Sequence, residues 1–440
     1  MRNASCRILA VAMTLAGVAT LALADAKLPR HSVLGAAFAD STAGPAVSQV
    51  FPNTPASRAG LTAGDVVVTI AGKAMANSAA IVSDVRQEPQ GIAVPFGIVR
   101  GATKLSLAVT FDPAPDEHDP VVTTAYGVLR FENSLRRTLL TKPVGAKGRL
   151  PALLIIGGIG CFSVDVARNP EDAYLRLAHD LSRRGFVVVR VEKSGIGDSE
   201  GPPCQSVDLF TEERSYLAAL KAMKREPGID PARIYLMGHS IGTVMAPRLA
   251  LQERVAGIVA ADGVARNWFE YELSNLRRQL VLDGEAPAKV DALLSEKERC
   301  MHRLLIERSP EAAIEKEEPD CATHNTYPAP DAYLQEAASL NLAEAWTKID
   351  VPVLALWGRA DFITAEEDHQ RIVDIVNAFH PGMAKLLTID GMDHYFDHAG
   401  TVQQAYDLRV KEHGTAPFEP ALSTAIGDWL CRHERCAPSP

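Results

Sequence analysis

The chain has 440 residues, of which 47% are hydrophobic and 22% charged, values that are typical of a soluble globular protein and exclude extensive disorder or a polytopic membrane protein. Its length predicts two or three domains. The net charge is −9, from 54 acidic and 45 basic residues without long blocks of one sign, so no surface for nucleic acid is expected.

The first 24 residues have the pattern of a signal peptide. Arg2 and Arg7 precede an uncharged apolar stretch over residues 8–24, and the Ala-Leu-Ala at 22–24 is a small-residue cleavage site. The stretch is short and alanine-rich for a membrane-spanning helix, and a retained anchor is the alternative. We predict export to the periplasm or the medium, with no integral membrane span after cleavage.

Six of the seven cysteines follow this segment, an even number that predicts disulfides in an exported protein. Their order along the chain favours three local pairs but leaves other connectivities open, and free buried thiols are the alternative. The local pairs would be Cys161 with Cys204, Cys300 with Cys321, and Cys431 with Cys436. None of these cysteines has the spacing of a zinc site.

Residues 33–113 are rich in Gly, Ala and Val, with short alternating runs that predict a small β-rich domain. A helical turn is predicted to end at Gly60, a tight turn follows at 63–65, and a β-branched run begins at Val66. Further strands are predicted over residues 94–99 and 105–111.

The stretch Pro-Ala-Ser-Arg-Ala-Gly-Leu-Thr-Ala-Gly-Asp at 55–65 resembles the PDZ domains attached to bacterial envelope proteases. In that family an apolar–Gly–apolar loop binds the terminal carboxylate of a peptide through backbone N–H groups, and the peptide adds a strand to the sheet. The resemblance assigns this loop to Leu34, Gly35 and Ala36, so the C-terminus of a protein is an expected partner. A packing domain that binds no free peptide is the alternative.

A segment rich in proline and acidic residues over 114–122 predicts a linker. From 123 to 440, short apolar runs alternate with longer amphipathic stretches, the pattern of a mostly parallel sheet with helices on both faces. The predicted strands cover residues 153–156, 186–191, 234–237, 256–261, 353–357 and 386–389. The predicted helices cover residues 172–184, 209–225 and 240–253.

Residues 266–348 interrupt this alternation and are predicted to form a helical cap over the edge of the sheet. No strand pattern lies within this insertion. Its helices are expected over residues 268–282, 288–307 and 332–347.

The strand predicted at 234–237 runs into Gly238-His239-Ser240-Ile241-Gly242, and a helix is predicted to follow. This is the context that the nucleophile elbow G-x-S-x-G requires, because its turn is too tight for side chains at the flanking glycines. A serine hydroxyl becomes a good nucleophile only when a base removes its proton and an acid orients that base. Asp361 and His394 each follow a later strand, at the sheet edge where catalytic groups gather.

These residues and their order resemble the α/β-hydrolases of the serine aminopeptidase-like and esterase group. The resemblance implies an α/β-hydrolase fold with a helical cap. It assigns Ser240 as the nucleophile, Asp361 as the orienting acid and His394 as the general base.

Other residues nearby compete for these roles. Asp262 ends the preceding strand and is an alternative acid. His398 lies one helical turn after His394, and His239, inside the elbow, is expected to pack rather than to act as the base. Asp393 is expected at the surface or just behind the site.

Acyl transfer also needs N–H donors where negative charge develops on the substrate oxygen. The resemblance assigns one donor to Ile241, the residue after the nucleophile, and the second to Ile159 in the loop at 157–161. Family members often have His where this chain has Gly157. A plain tight turn is the alternative interpretation of that loop.

The segment 192–201 resembles the glycine-rich loop that family members have after a core strand, where its role is structural. A bond between Cys161 and Cys204 would tie this loop to the donor loop and hold it rigid. The sequence has no HExxH motif and no cluster of His and Cys, so no metal or other cofactor is expected.

The leading hypothesis is an exported serine hydrolase that cleaves carboxylic esters through an acyl-enzyme, with a small ester or peptide as substrate. The first alternative is a peptidase of the aminopeptidase type to which the PDZ-like unit presents a polypeptide. Glu270, Glu272 or the acidic residues at 315–318 would then bind the substrate amine, although such clusters are usually solvated. The second alternative is a noncatalytic binding protein with the hydrolase unit as scaffold.

Overall fold

The computed structural model of the protein describes residues 28–323, 327, 329–434 and 436. The predicted signal peptide at 1–24 lies outside the described residues. The described chain forms an N-terminal unit over residues 32–113 and a C-terminal unit over residues 122–436.

The N-terminal unit is a small, antiparallel β-structure with two short helices. Five of its strands follow the order β2-β3-β4-β6-β7, with β5 beside β4, so that β2 and β7 lie at the edges, and β1 pairs with β8. The strands are β1 (Ser32–Val33), β2 (Ala36–Ser41), β3 (Gly44–Val50), β4 (Val66–Ile70), β5 (Lys73–Ala74), β6 (Ala93–Arg100), β7 (Thr103–Thr110) and β8 (Asp112–Pro113). The helices are α1 (Pro55–Arg58) and α2 (Ser78–Gln87).

Helix α1 begins at Pro55 because the residue before it caps the first turn. The hydroxyl of Thr54 accepts the N–H of Ser57, and the hydroxyl of Ser57 accepts the N–H of Thr54 at 2.9 Å. Proline at the first helical position has no N–H that would need an acceptor there. The turn predicted to end at Gly60 is this helix.

The C-terminal unit is built on an eight-stranded sheet. Its order is β9-β10-β12-β11-β13-β14-β15-β16, in which β9 and β10 run antiparallel to their neighbours and the other strands are parallel. The strands are β9 (Val122–Phe131), β10 (Ser134–Pro143), β11 (Leu150–Ile156), β12 (Val187–Val191), β13 (Ile229–His239), β14 (Gly257–Ala261), β15 (Val353–Gly358) and β16 (Ala384–Ile389).

Helices connect the parallel strands and cover both faces of the sheet. They are α3 (Ala173–Arg183), α4 (Leu209–Met223), α5 (Gly242–Gln252), α6 (Trp268–Leu282), α7 (Pro287–Met301), α8 (Glu311–Glu317), α9 (Asp331–Ser339), α10 (Leu342–Thr347), α11 (Glu366–Phe379), α12 (Val402–Tyr406) and α13 (Pro420–His433). Short 3₁₀ turns lie at Cys204–Ser206 and Pro319–Thr323, and π-helical turns at His302–Ile306 and Asp407–Lys411. Among the described helices, none is long and apolar enough to cross a membrane.

The sheet separates two apolar cores, and strand β11 contributes alternately to each. Leu154 and Ile156 pack against α4, α5 and α11, whereas Leu153 and Ile155 pack against α3 and α13. Successive side chains of a strand point to opposite faces, so a strand that is covered on both sides reads as a continuous apolar run. This is why the buried strands could be predicted from the sequence, and the α/β fold class with a preceding β-rich unit is confirmed.

The structure differs from the prediction in the cap and at the edge of the sheet. The helix predicted at 332–347 is two helices, α9 and α10, because the backbone is extended at Leu340 and Asn341 and the Asn341 side chain caps α10. The hairpin of β9 and β10 was not predicted. Its sequence carries the consecutive charges Arg136 and Arg137, yet both side chains are buried.

The segment between the two units is anchored rather than loose. The side chain of Glu117 is buried, and its carboxylate accepts hydrogen bonds from Arg190 at 2.7 Å and from Thr124 at 3.0 Å, with His179 Nε2 at 3.3 Å. Burial raises the pKa of Glu117, but the bonds from His179 and Arg190 outweigh burial and lower it to about 2. The linker is therefore fixed to the sheet at this point by a buried charge.

Polar contacts also join the two units directly. Arg30 forms ion pairs with Asp165 and Asp198 of the C-terminal unit. Arg86, on α2, donates to the carbonyl oxygens of Gly195, at 2.9 Å, and of Gly197. The N-terminal unit thus rests on the loops that follow β11 and β12.

Replacing Glu117 by Gln should destabilise the protein by about 3 kcal/mol at pH 7, because a pKa lowered from 4.5 to about 2 corresponds to that free energy. The folded-state pKa lies below the unfolded value, so the stabilisation is complete above pH 4.5 and is lost as the pH falls toward 2. Urea unfolding of both proteins at several pH values measures the difference. A gap between wild type and Glu117→Gln that stays constant from pH 7 to pH 3 would contradict this assignment.

Candidate active site

A strained turn presents the hydroxyl of Ser240 at the carboxyl end of β13. The backbone of Ser240 has φ +55°, a left-handed conformation that costs free energy for a residue with a Cβ and is held only where the surroundings enforce it. A Cβ on Gly238 would lie 2.4 Å from the carbonyl oxygen of Gly242, and a Cβ on Gly242 would lie 2.3 Å from that of Ile156. Only glycine fits on either side of the serine.

Three side chains from distant parts of the chain meet at this turn. Ser240 Oγ lies 3.1 Å from His394 Nε2, and His394 Nδ1 lies 2.9 Å from Asp361 Oδ2. Asp361 is buried, and its Oδ1 accepts the N–H groups of Ile363 at 2.6 Å and Thr364 at 2.9 Å. A base within hydrogen-bonding reach of a hydroxyl, oriented by a carboxylate, is the arrangement that activates a nucleophile.

The two buried carboxyl groups near His394, those of Asp361 and Asp262, have pKa values shifted in opposite directions. Burial alone would raise the pKa of Asp361, but the adjacent His394 and the hydrogen bonds from Thr364 outweigh it and keep the pKa below its ordinary value. Burial and then the charge of Asp361 raise the pKa of Asp262 well above its ordinary value. Asp262 Oδ1 accepts the N–H of Gly358 at 2.8 Å, and no hydrogen bond joins it to His394 within the described chain. Asp361 is therefore the ionised partner of the histidine.

The other histidines do not reach the serine. His239 Nδ1 lies 2.6 Å from the hydroxyl of Tyr174, and its Nε2 lies 2.8 Å from the carbonyl oxygen of His394. Burial lowers the pKa of His239 to about 3, so the ring is neutral and donates to that carbonyl. His398 is exposed and pairs with Glu419. His239 thus fixes the backbone of the residue that contacts Ser240.

Of the two positions expected for Asp393, at the surface or just behind the site, the structure shows the second. Its side chain is fully buried, accepts the N–H groups of Tyr395 at 2.9 Å and Asp397 at 3.0 Å, and pairs with Arg409 at 2.9 Å. The carboxylate shapes the turn that carries His394. A sequence cannot show this, because the partner arginine lies on a later π-helical turn.

Two N–H donors were expected near the serine. Ile241 directly follows Ser240 in the sequence, and Ile159 lines the cavity onto which Ser240 opens. Gly158 approaches Ser240 so closely that a Cβ there would lie 3.3 Å from the Cβ of the serine. In the part of the chain that the structure describes, the N–H groups of Ile159 and Ile241 have no hydrogen-bond acceptor.

Ser240 and His394 open onto a cavity of about 720 Å³ between the sheet and the cap. Its lining combines apolar and aromatic side chains with a few polar groups, as in small-molecule sites generally. Cap residues that line it are Trp268, Tyr271, Glu272, Asn275, Leu276, Gln279, Lys297 and Tyr327.

Every carboxylate that lines this cavity in the described chain has a partner. Glu272 pairs with Lys297 at 2.9 Å and accepts the Tyr327 hydroxyl at 2.7 Å. Asp397 pairs with Arg409. Glu171 pairs with Arg176 at 3.3 Å, and Asp172 caps helix α3.

A second cavity, of about 880 Å³, lies along the groove between β2 and α2 of the N-terminal unit. The expected loop Leu34-Gly35-Ala36 lines one end of it, although the Leu34 side chain also packs in the core. Val166, Arg168 and Asn169 of the C-terminal unit complete the groove, and Asn169 also lines the cavity at Ser240. The two cavities therefore share a wall.

The cysteines form three disulfides, Cys161–Cys204, Cys300–Cys321 and Cys431–Cys436. The first joins the loop after β11, which carries Ile159, to the 3₁₀ turn after β12. Within residues 28–323, 327, 329–434 and 436, no group of three His, Cys, Asp or Glu side chains could hold a metal ion.

Two residues of the site were not predicted from the sequence. Tyr174 bonds His239, and Lys193 bonds the carbonyl oxygen of Gly158 at 2.7 Å. Glu192 and Lys193 follow β12, and charged residues at the carboxyl end of a buried strand are a signal that could have indicated Lys193. Tyr174 carries no such signal, because aromatic residues on a helix usually belong to the core.

Comparison with known proteins identifies both units. The family model described as "Alpha/beta hydrolase family" matches residues 153–405, more than half of the chain, and the model described as "PDZ domain" matches residues 32–111.

Individual relatives are distant. Over 255 residues, 58% of this chain and 56% of the relative, the chain is 24% identical to Esterase EstD of Thermotoga maritima. Over 94 residues, 21% of this chain and 20% of the relative, it is 30% identical to Serine protease HTRA1 of Xenopus tropicalis. The chain thus spans little more than half of the first relative's length. Among solved structures, Est1E from Butyrivibrio proteoclasticus is similar with a TM-score of 0.44 at 14% identity, over 70% of this chain and 98% of that one.

Proposed function

The chain belongs to the alpha/beta hydrolase family, and from this premise we propose that it is an exported serine hydrolase that cleaves carboxylic esters through an acyl-enzyme. The observation that carries the proposal is the chain of contacts from Ser240 Oγ to His394 Nε2, at 3.1 Å, and from His394 Nδ1 to Asp361, at 2.9 Å, beside a cavity large enough for a small ester. The relative that is named an esterase supports the same reaction class.

In the proposed first step, Ser240 Oγ attacks the ester carbonyl carbon while His394 Nε2 takes the hydroxyl proton. Asp361 stabilises the imidazolium that forms, and the N–H groups of Ile241 and Ile159 bind the oxyanion of the tetrahedral intermediate. His394 then gives the proton to the leaving alkoxide, which departs as an alcohol. Water repeats the sequence on the acyl-enzyme, releasing the acid and restoring Ser240.

Ester cleavage is favoured over aminopeptidase activity by the charges around the cavity. An aminopeptidase must hold a protonated amine, and this needs a carboxylate that is free to bind it. Glu272 has both oxygens occupied, by Lys297 and Tyr327, and Glu270 points away from the cavity toward solvent. Among the described residues that line the cavity at Ser240, none belongs to the acidic stretch 315–318. Glu315 lines a separate small pocket nearby.

Export is supported by the three disulfides, which persist in oxidising compartments and are rare in the cytosol. The Cys161–Cys204 bond also holds the loop that carries the proposed donor Ile159. The PDZ-like groove supports a further role for the N-terminal unit. Strand β2 is an edge strand whose free side faces the groove, so an extended peptide can pair with it.

A fluorophosphonate probe should label Ser240 of the wild type, and Ser240→Ala should abolish labelling and ester turnover. Asp361→Asn should lower kcat by about 10⁴-fold, because the amide cannot hold the catalytic tautomer of His394 or stabilise its charged form. Mass spectrometry of the labelled peptide and stopped-assay kinetics measure the two effects.

Asp262→Asn is the matched control for Asp361→Asn. Burial and the charge of Asp361 raise the pKa of Asp262 well above its ordinary value, and an amide oxygen can still accept the N–H of Gly358, so kcat should stay within about tenfold of wild type. If Asp361→Asn and Asp262→Asn lower kcat equally, the orienting role would belong to both carboxyl groups and not to Asp361 alone. Absence of labelling at Ser240 would support the noncatalytic alternative.

Short p-nitrophenyl esters should be turned over, whereas aminoacyl p-nitroanilides should not, because the described cavity has no free carboxylate for the amine. Initial rates at matched enzyme concentration compare the two substrate sets. Turnover of the anilides alone would establish the peptidase alternative and overturn the ester proposal.

A fluorescent peptide that ends in an apolar residue with a free carboxylate should bind the groove, and its C-terminal amide should bind more weakly. Val82→Glu places a negative charge on the exposed α2 side of the groove and should weaken binding by more than about tenfold. Val68→Glu is the control, because Val68 is similarly exposed but lies on β4 outside the groove. Fluorescence anisotropy gives the affinities. Equal binding of acid and amide would favour a packing role for the N-terminal unit.

A further inference from the structure

Lys193 makes an unusual contact with the loop that carries Ile159. Its Nζ donates to the carbonyl oxygen of Gly158 at 2.7 Å. That carbonyl and the N–H of Ile159 belong to one peptide unit, which is planar and conjugated. A cation bound at one end of this unit therefore acts on the N–H at the other end.

The surroundings of Lys193 make the contact strong. The side chain is only 6% exposed, and its Nζ lies 2.9 Å from Glu212 Oε1 and 5.2 Å from the ring centre of Phe162. A hydrogen bond from a charged donor is stronger than one between neutral groups, and a poorly screened interior increases its effect on the acceptor. Drawing electron density toward the Gly158 oxygen makes the Ile159 N–H a better donor.

The neighbouring parts of the loop are held as well. Tyr174 accepts the N–H of Gly158 at 3.4 Å, and the Cys161–Cys204 disulfide holds the end of the loop. A Cβ on Gly158 would lie 3.3 Å from the Cβ of Ser240, so the loop passes close to the serine. Among these contacts to the loop, the hydrogen bond from Lys193 is the one made by a charged group.

We propose that Lys193 is a positioning residue that orients and polarises the Ile159 N–H for the substrate oxyanion. The inference rests on the proposed function, and it adds to that function a residue that touches neither substrate nor Ser240. Its contribution is expected in the transition state, where the oxyanion exists, and not in the binding of the uncharged ester.

Lys193→Met removes the ammonium group while keeping most of the side-chain volume. It should lower kcat by about 10- to 100-fold, less than the 10²–10³-fold that follows loss of a whole donor, with KM within about twofold. Binding of an aryl trifluoromethyl ketone, whose adduct with Ser240 is an oxyanion, should weaken by the same factor as kcat. Lys193→Gln, which removes the charge and has a side chain one atom shorter, should behave alike and offers a second folded variant, as judged by near-UV circular dichroism.

Lys224→Met is the matched control, because Lys224 also pairs with a glutamate, Glu253 at 2.7 Å, but lies away from the cavity. Its kcat and its affinity for the trifluoromethyl ketone should equal those of wild type. Labelling and turnover of the wild type, measured first, decide the proposed function independently. The positioning role is overturned if folded Lys193→Met or Lys193→Gln keeps the wild-type kcat and ketone affinity, or if only KM changes. The proposed hydrolase function would stand in either case.

Discussion

The rest of the site depends on one strained residue, Ser240, which lies between strand β13 and helix α5. The strand and the helix approach so closely that only glycine fits at positions 238 and 242. The parallel register around β13 makes this possible. Gly238 lies level with Ile156 on one neighbouring strand and with Ala260 on the other, so three strands end at the same edge. The left-handed turn then lifts the hydroxyl above that edge. Every later contribution, from Asp361 after β15 to the histidine after β16, needs only a short loop to arrive there, because those strands end at the same edge as well.

A second regularity is that several buried charged side chains pair with a group on another element. Glu117 with Arg190, Asp393 with Arg409 and Lys193 with Glu212 are examples. Replacing a whole pair of this kind by apolar residues often changes stability little, because desolvation offsets much of the attraction, whereas removing one partner leaves the other charge buried and unpaired. What they fix is geometry. One pair anchors the linker, one shapes the histidine turn, and one bears on the loop beside Ser240, so the polar network positions the loops while the apolar cores stabilise the sheet.

This division also explains what could be predicted from the sequence. The apolar runs of β11 to β16, the elbow glycines and the chain order of serine, acid and histidine are local patterns, and the fold class follows from them. The break between α9 and α10 was missed because the apolar period continues through Leu340 and only the backbone departs from the helix. The β9–β10 hairpin was missed because the buried Arg137 pairs with Asp198, 61 residues later, and no local pattern contains that partner. The sequence left Asp393 open between the surface and a position just behind the site, and Lys193 was overlooked, because no local pattern contains the partner that keeps a charged side chain buried.

The network of polar contacts extends from the loops of the C-terminal unit to the N-terminal unit. Its helix α2 places Arg86 on two carbonyl groups of the loop that begins with Glu192 and Lys193. Glu192 in turn accepts the N–H of Val164, at the start of the segment that walls both cavities. Burial raises the pKa of Glu192 to about 7, so this carboxyl group, at the junction of the two units, titrates near neutral pH. A ligand that fills the groove touches Arg168 and Asn169 on that segment. The groove and the cavity at Ser240 are thus connected through shared loops rather than through the linker alone, and an N-terminal unit attached by a flexible tether could not have this geometry.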